Sequence, residues 1–283
     1  MSPWKSRIGA TLVAVAALLA AGQAASAATV LRVGASDDPD NLDPARAYAR
    51  ESLQVLANTG GGLVSFRREA GRAGAEIVPM LAREVPTPTA GGRRLVFRLR
   101  PGVRFGPPSG RPVRPSDVKA SIERLFVVRS PGRGLYRGIV GAAAFERTGR
   151  GGIRGLVADD RARTLEVRLT RADGGILSSL AMPFAHVVPA EWDSLRLNRP
   201  PAGIGPYYVR GYRRGSFIDL ARNPFYAPVK GLPRGTVDQI LVRIGAGTAT
   251  MLTSIERGRL DATQSTVPAA SLRGRAARAQ AVL

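Results

Sequence analysis

Apolar and polar positions alternate in several short blocks along the chain. Val30-Leu31-Arg32-Val33-Gly34 reads as a short apolar strand that runs into the turn-rich stretch Asp37 to Pro44. Pro39 and Pro44 hold the residues before them extended, so the strand leaves its sheet into an ordered loop. The spacing of Leu53, Leu56 and Ala57 predicts a helix within Tyr48 to Leu63, broken at Gly60-Gly61-Gly62. Arg94 to Arg100 alternates strictly, with Leu95, Phe97 and Leu99 on one face, and Thr164 to Leu169 repeats the pattern. A period of two marks half-buried strands. Val103 and Phe105 continue the first of these after the Pro101-Gly102 turn. Val118, Ile122, Leu125 and Phe126 lie at helical spacing after Pro115-Ser116-Asp117, where Ser116 is placed to cap and Asp117 suits the positive helix end. Ser130 to Gly155, rich in Gly and Arg, reads as irregular. Strands are expected at Tyr207–Tyr212, Phe217–Leu220 and Gln239–Ile244. A helix carrying Met251, Leu252 and Ile255 then stops at Gly258, and Leu260-Asp261-Ala262 offers one more short strand.

The N-terminus changes this picture first. Lys5 and Arg7 precede an uncharged, mostly apolar run from Ile8 to Ala21, and Ala25-Ser26-Ala27 places small residues before Ala28. This is the three-part pattern of a secretory signal cleaved before Ala28. The run is shorter than the roughly 20 residues a membrane span needs. The remainder is long enough for two lobes.

The 283 residues include no cysteine, which excludes disulfides, thiolate metal sites, a cysteine nucleophile and a lipid-bearing cysteine. A periplasmic location without an anchor is therefore expected. The formal net charge is +21, and only Lys5, Lys119 and Lys230 among the 42 basic residues are lysine. Such a charge opens the possibility of an anionic partner. The arginines are scattered, however, and lack interleaved aromatic side chains that would stack on bases. Codon bias accounts for them, and no nucleic acid is expected as partner.

Enzyme chemistry finds little support. His186 is the one histidine and sits in the apolar run Met182 to Pro189, as a core or cleft-edge residue would. One histidine without cysteine cannot build the usual zinc or iron sets, so no metal and no cofactor are expected. The pairs Asp37-Asp38 and Asp159-Asp160 lie in turn-like sequence. No phosphate-binding glycine loop with its lysine is present.

Several segments, in order, resemble one family. They are Leu42-Asp43-Pro44; Gly62-Leu63-Val64; Val78-Pro79-Met80-Leu81-Ala82; and the block Leu95 to Arg124 with Phe97-Arg98-Leu99-Arg100-Pro101-Gly102-Val103-Arg104-Phe105 and Ser121-Ile122-Glu123-Arg124. Further on come Gly203-Ile204-Gly205-Pro206-Tyr207, Arg222-Asn223-Pro224-Phe225-Tyr226, Asp238-Gln239-Ile240 and Ile255 to Asp261. Together they resemble the extracytoplasmic solute-binding proteins of family 5, the oligopeptide, dipeptide and nickel-binding kind that serve ABC importers. Ile204 stands where the family has threonine. Read from the residues alone, Gly203, Gly205 and Pro206 set a bend, and the other motifs are scaffold.

The resemblance implies an α/β, periplasmic-binding-protein-like fold (type II, class C), two-lobed and hinged, with its N-terminal part in this chain. It implies a first-lobe sheet from 28–62 and 200–246, an inserted subdomain at 63–199, and the start of a second lobe at 247–283. It implies binding of a solute, with peptide the default, by a monomer that delivers it to ABC permease subunits and their ATPase. Family members continue past Leu283, so the main ligand anchors are expected beyond it. Tyr48, Tyr136, Met182 and Phe184 are the ligand-contact candidates within this chain. A cationic envelope protein binding nucleic acid or anionic polymer, a non-transporting relic and an exported enzyme on the same scaffold are the competing readings.

Overall fold

The computed structural model describes residues 28–192, 200–268 and 271. The proposed signal segment lies outside them. Among the described residues no helix is long and apolar enough to cross a membrane.

Two hydrophobic cores organise the chain. The first belongs to a five-stranded sheet of β1 (Val30–Ala35), β7 (Tyr207–Arg213), β8 (Phe217–Arg222), β9 (Gln239–Ile244) and β10 (Ala262–Thr263), in the order β10-β1-β9-β8-β7. β1 lies parallel to both neighbours, with Val30 opposite Gln239 and Val33 opposite Ala262. β7, β8 and β9 form an antiparallel meander. Helix α1 (Arg50–Thr59) buries Ser52, Val55, Leu56 and Thr59, one face at helical spacing. Val55 packs in this core with Ala35, Leu42, Tyr207, Ile218, Leu220 and Val242.

Residues 247–263 do not open a second lobe. Helix α5 (Thr248–Glu256) and β10 complete the same sheet as a crossover from β9 past β1. The reason is packing at Gly34. A Cβ there would lie 2.7 Å from the Met251 sulfur, so glycine lets the helix settle on the strand. Asp261 then ties β10 to Arg32, accepting from its backbone N at 2.7 Å and from Nη2 at 2.8 Å.

The second core fills residues 63 to 204 and takes in Ala45. Its sheet is antiparallel, β4 (Arg94–Arg98), β6 (Thr164–Arg168) and β5 (Leu156–Asp159), with β6 central. β2 (Val64–Phe66) and β3 (Ile77–Pro79) form a separate pair. Leu95, Phe97, Leu165 and Val167 point inward as the alternation requires, and meet Ile122 and Leu125 of α2 (Pro115–Val127). Ser116 does not cap α2. Arg114 is the N-cap, and Asp117 accepts its backbone N–H at 2.8 Å while holding Arg111 at 2.6 and 2.9 Å. The Ser116 hydroxyl instead donates to Asp160 at 2.7 Å. The stretch read as irregular contains a 3₁₀ turn at Arg133–Tyr136 and helix α3 (Ala142–Thr148). Helix α4 (Ile176–Ala181) follows, and a 3₁₀ turn spans Pro183–Ala185.

Two junctions bind the cores together. Asp43 pairs with Arg124 in buried surroundings, with Nη1 to Oδ1 at 2.8 Å and a second bond from Nη2. Asn223 accepts from Phe225 N at 3.0 Å and donates to the Gly205 carbonyl at 2.9 Å. Gly203 and Gly205 serve close approach at this second junction. A Cβ on either would lie 2.0 and 2.4 Å from the carbonyl oxygens of Thr59 and Asn58.

Candidate functional site

The parallel strands end together. The carboxyl ends of β1, β9 and β10 lead into Ser36-Asp37, Gly245-Ala246 and Gln264-Ser265. Open α/β sheets bind ligands in the crevice outside such ends, where connections diverge to opposite sides. Here β1 leads away to α1, and β9 leads through α5 to the far side of β1.

The edge is polar and internally ordered. The Ser265 hydroxyl accepts the Ser36 backbone N–H at 2.8 Å, and the Ser36 hydroxyl donates to Asp37 at 2.7 Å. Asp38 is turned the other way, accepting from Tyr212 at 3.1 Å and Gly215 N at 2.7 Å. Burial and that neighbouring carboxylate push the Tyr212 phenol up to about 12. Asp40 closes the loop over α1 by accepting Tyr48 N at 3.0 Å, Ala49 N at 3.1 Å and the Ser52 hydroxyl. Of these donors, the Ala49 N–H is one that the start of the helix leaves without an intrahelical partner.

A groove continues from this edge along α1. Gln54 donates to the Gln264 carbonyl at 3.4 Å, and the outward face Arg50, Leu53, Gln54, Ala57 forms one wall. Ser65 to Arg68, Pro183 and His186 form the other, enclosing about 340 Å³. A smaller recess of about 50 Å³ adjoins it, sharing Ala57, Ser65, Arg68 and His186 and reaching Met80 and Tyr226. His186 is 7% exposed, and its Nδ1 is buried without a hydrogen-bond partner. Burial, and secondarily the charge of Arg68, hold its pKa down to about 3, so the ring is neutral at pH 7. Glycine at position 60 makes room for it, since a Cβ there would lie 2.1 Å from Nδ1.

The four expected contact residues do not meet in this groove. Tyr48 is 69% exposed on the loop entering α1. Tyr136 is fully buried, and its hydroxyl donates to the Ser179 carbonyl at 2.7 Å. Burial raises its pKa. That makes it a core tyrosine, because its one polar group is already satisfied inside the fold. Phe184 is buried against Gly132, and Met182 is half-buried at the end of α4. Tyr136, Met182 and Phe184 thus cluster around α4, behind the groove wall that Ala181 and Pro183 present. Sequence reasoning missed Gln54, Ser65 and Arg68. The outward face of α1 was the available signal, since Arg50, Leu53, Gln54 and Ala57 share it at helical spacing. Among the described residues no group of three or more His, Cys, Asp or Glu could hold a metal ion.

A parallel-edged sheet with an antiparallel subdomain inserted between its strands, and a polar crevice at the strand ends, defines a periplasmic-binding-protein fold. The chain belongs to the bacterial extracellular solute-binding proteins, family 5, whose middle-region model matches residues 76–280. It is 29% identical over 223 residues to di/tripeptide-binding protein 4 of Pseudomonas aeruginosa, covering 74% of this chain and 40% of that protein. It is 34% identical over 106 residues to the probable ABC transporter periplasmic-binding protein SapA of Escherichia coli, covering 35% of this chain and 19% of that one. Among solved structures, the clavulanic acid biosynthesis oligopeptide binding protein 2 superposes with a TM-score of 0.76 at 26% identity, over 86% of this chain and 46% of that chain. Haemophilus influenzae OppA in complex with RPPGFSPFR has the same fold, with a TM-score of 0.73 at 18% identity over 87% and 48%. The chain spans less than half the length of these relatives.

Proposed function

We propose that this chain supplies the first lobe of a periplasmic peptide receptor that hands its ligand to an ABC importer. The observation that carries the reading is the convergence of three parallel strand ends on one polar edge, Ser36-Asp37 and Gln264-Ser265, beside the groove of α1. Its support from relatives is the di/tripeptide-binding and oligopeptide-binding character of the similar proteins. Serine hydroxyls and a carboxylate at a sheet edge offer a peptide backbone and its ammonium end partners to replace those they lose on leaving water. Binding between two lobes stabilises the closed form by the difference in affinity between open and closed states, and no covalent step is involved. The N-terminal signal pattern and the absence of an anchoring cysteine accord with release into the periplasm, where the closed receptor meets its permease.

The test is a calorimetric titration of the protein with a panel of di- and tripeptides. Saturable binding of peptides, with a melting temperature that rises with ligand concentration, is expected. No response to any peptide, together with polyanion binding that weakens steeply with salt, would favour the cationic envelope protein instead.

A further inference from the structure

Among the described residues, three arginines and no carboxylate line the α1 groove. Two of the three are satisfied by acids beside the groove. Arg50 meets Glu51 at 3.3 Å, and Arg67 meets Glu76 at 2.8 Å and Glu69 at 3.3 Å. Arg68 differs. Its guanidinium reaches the Ala57 carbonyl at 3.3 Å and makes no ion pair with a carboxylate among the described residues. The residue is solvent-exposed, and partial desolvation by the surrounding groove shifts its pKa downward. It lines both the groove and the smaller recess, beside the neutral His186 whose Nδ1 has no partner. A cation without a counter-charge, on the wall of a groove lined by further arginines, attracts an anion that can reach it.

We propose that the α1 groove is an anion-binding site in which Arg68, supported by Arg50, receives a carboxylate group. The planar guanidinium matches a carboxylate in a two-point fork that an ammonium cannot offer. Ser65 lies beside it as a hydroxyl on the same wall, and Leu53 and Pro183 provide apolar flanks for a short organic chain. The carboxylate can belong to a free organic acid or to the C-terminus of a peptide. The site stands on the groove alone and does not depend on the strand-end crevice accepting peptides.

The competing role for Arg68 is structural, as a cap on the last turn of α1 through Ala57. The substitution Arg68→Gln separates the two, because an amide can still donate to that carbonyl while the charge is gone. The probes are succinate, with sodium chloride at matched ionic strength, and a dialanine peptide with free or amidated C-terminus, read by calorimetry. The site predicts succinate binding above the chloride control and at least a tenfold loss of affinity in R68Q. Succinate and the free peptide competing would mark a general carboxylate site, whereas binding of the free but not the amidated peptide, without succinate binding, would assign it to peptide C-termini. Equal responses of wild type and R68Q to succinate and to the free peptide, or no response of wild type to either probe, would overturn it. Should R68Q fail to fold, Leu53→Glu places a carboxylate on the facing wall. That variant should melt higher and lose the succinate response. A lower melting temperature with the response intact would likewise overturn the proposal.

Discussion

The two cores of this molecule solve different problems. The inserted subdomain packs like a conventional small protein. Phe97, Phe105, Leu125 and Tyr136 are fully buried, and β4 and β6 each show one buried and one open face. The five-stranded sheet is thinner. Its core has no phenylalanine, and β1 is buried only at Gly34 and Ala35, with Val30 39% exposed at the other end. Parallel strands are ordinarily covered on both faces. Here α1, α5 and the Asp37–Tyr48 loop cover the carboxyl end of β1 and leave its amino end comparatively open. Packing in the sheet is thus concentrated where the crevice lies. The sheet carries the strand-end crevice, and the subdomain supplies the far wall of the groove beside it.

The largest effect should come from the subdomain. Phe97→Ala is expected to cost about 3–5 kcal/mol, from lost transfer energy and a cavity that a tight core cannot close. Val242→Ala in the sheet core removes two methyl groups and should cost about 1.5–2 kcal/mol. Urea unfolding of both variants checks the contrast, and equal losses would break it.

The junctions sharpen the comparison next. Asp43→Ala leaves Arg124 buried without its counter-charge and should cost about 3–5 kcal/mol. Much of the loss should return when Arg124→Met is added, because the stranded charge is then gone. Asn223→Ala removes the bonds to Gly205 and Phe225 and should cost about 1–3 kcal/mol. A double-mutant cycle pairing each junction variant with Phe97→Ala would show whether the cores unfold as one unit.

The effect that is smallest near neutral pH is a titration. His186 is held near 3 in the folded protein against an ordinary value near 6.5. The unfolded chain therefore binds a proton that the folded chain refuses, and stability falls as pH drops below about 6.5 toward 3. The surface acids Glu166 and Glu191, lowered to about 2 by their arginines, add to this loss only below their ordinary value near 4.5. Between pH 6.5 and 5 the decline should belong to His186, and His186→Gln should flatten it in thermal scans. An unchanged slope would show that the ring finds a proton acceptor in the native state.

Much of this was legible before any coordinates. Gln239–Ile244 was read at its observed bounds, because an apolar run between turn signals leaves few alternatives. The ordered motifs pointed to the family, and their partners explain them: Asp43 of the first motif holds Arg124 of the fourth. What stayed hidden depended on contacts distant in sequence. α3 was concealed by its flanking glycines, both of which adopt left-handed φ as helix boundaries. β2 and β3 are three residues each, too short to show a period. α5 and β10 were assigned to the wrong lobe, because only their packing on Gly34 and Arg32 reveals the sheet they join. Arg68 looked like Arg67 beside it. The difference arises because Glu76, eight residues further on, reaches one and not the other.

Hydrogen exchange on the protein, with and without a bound tripeptide, tests the central claim most directly. The account predicts new protection at 36–40, at 245–247 and at 264–265, with the β4-β6-β5 sheet unchanged. Protection confined to that sheet, with none at the strand ends, would contradict it.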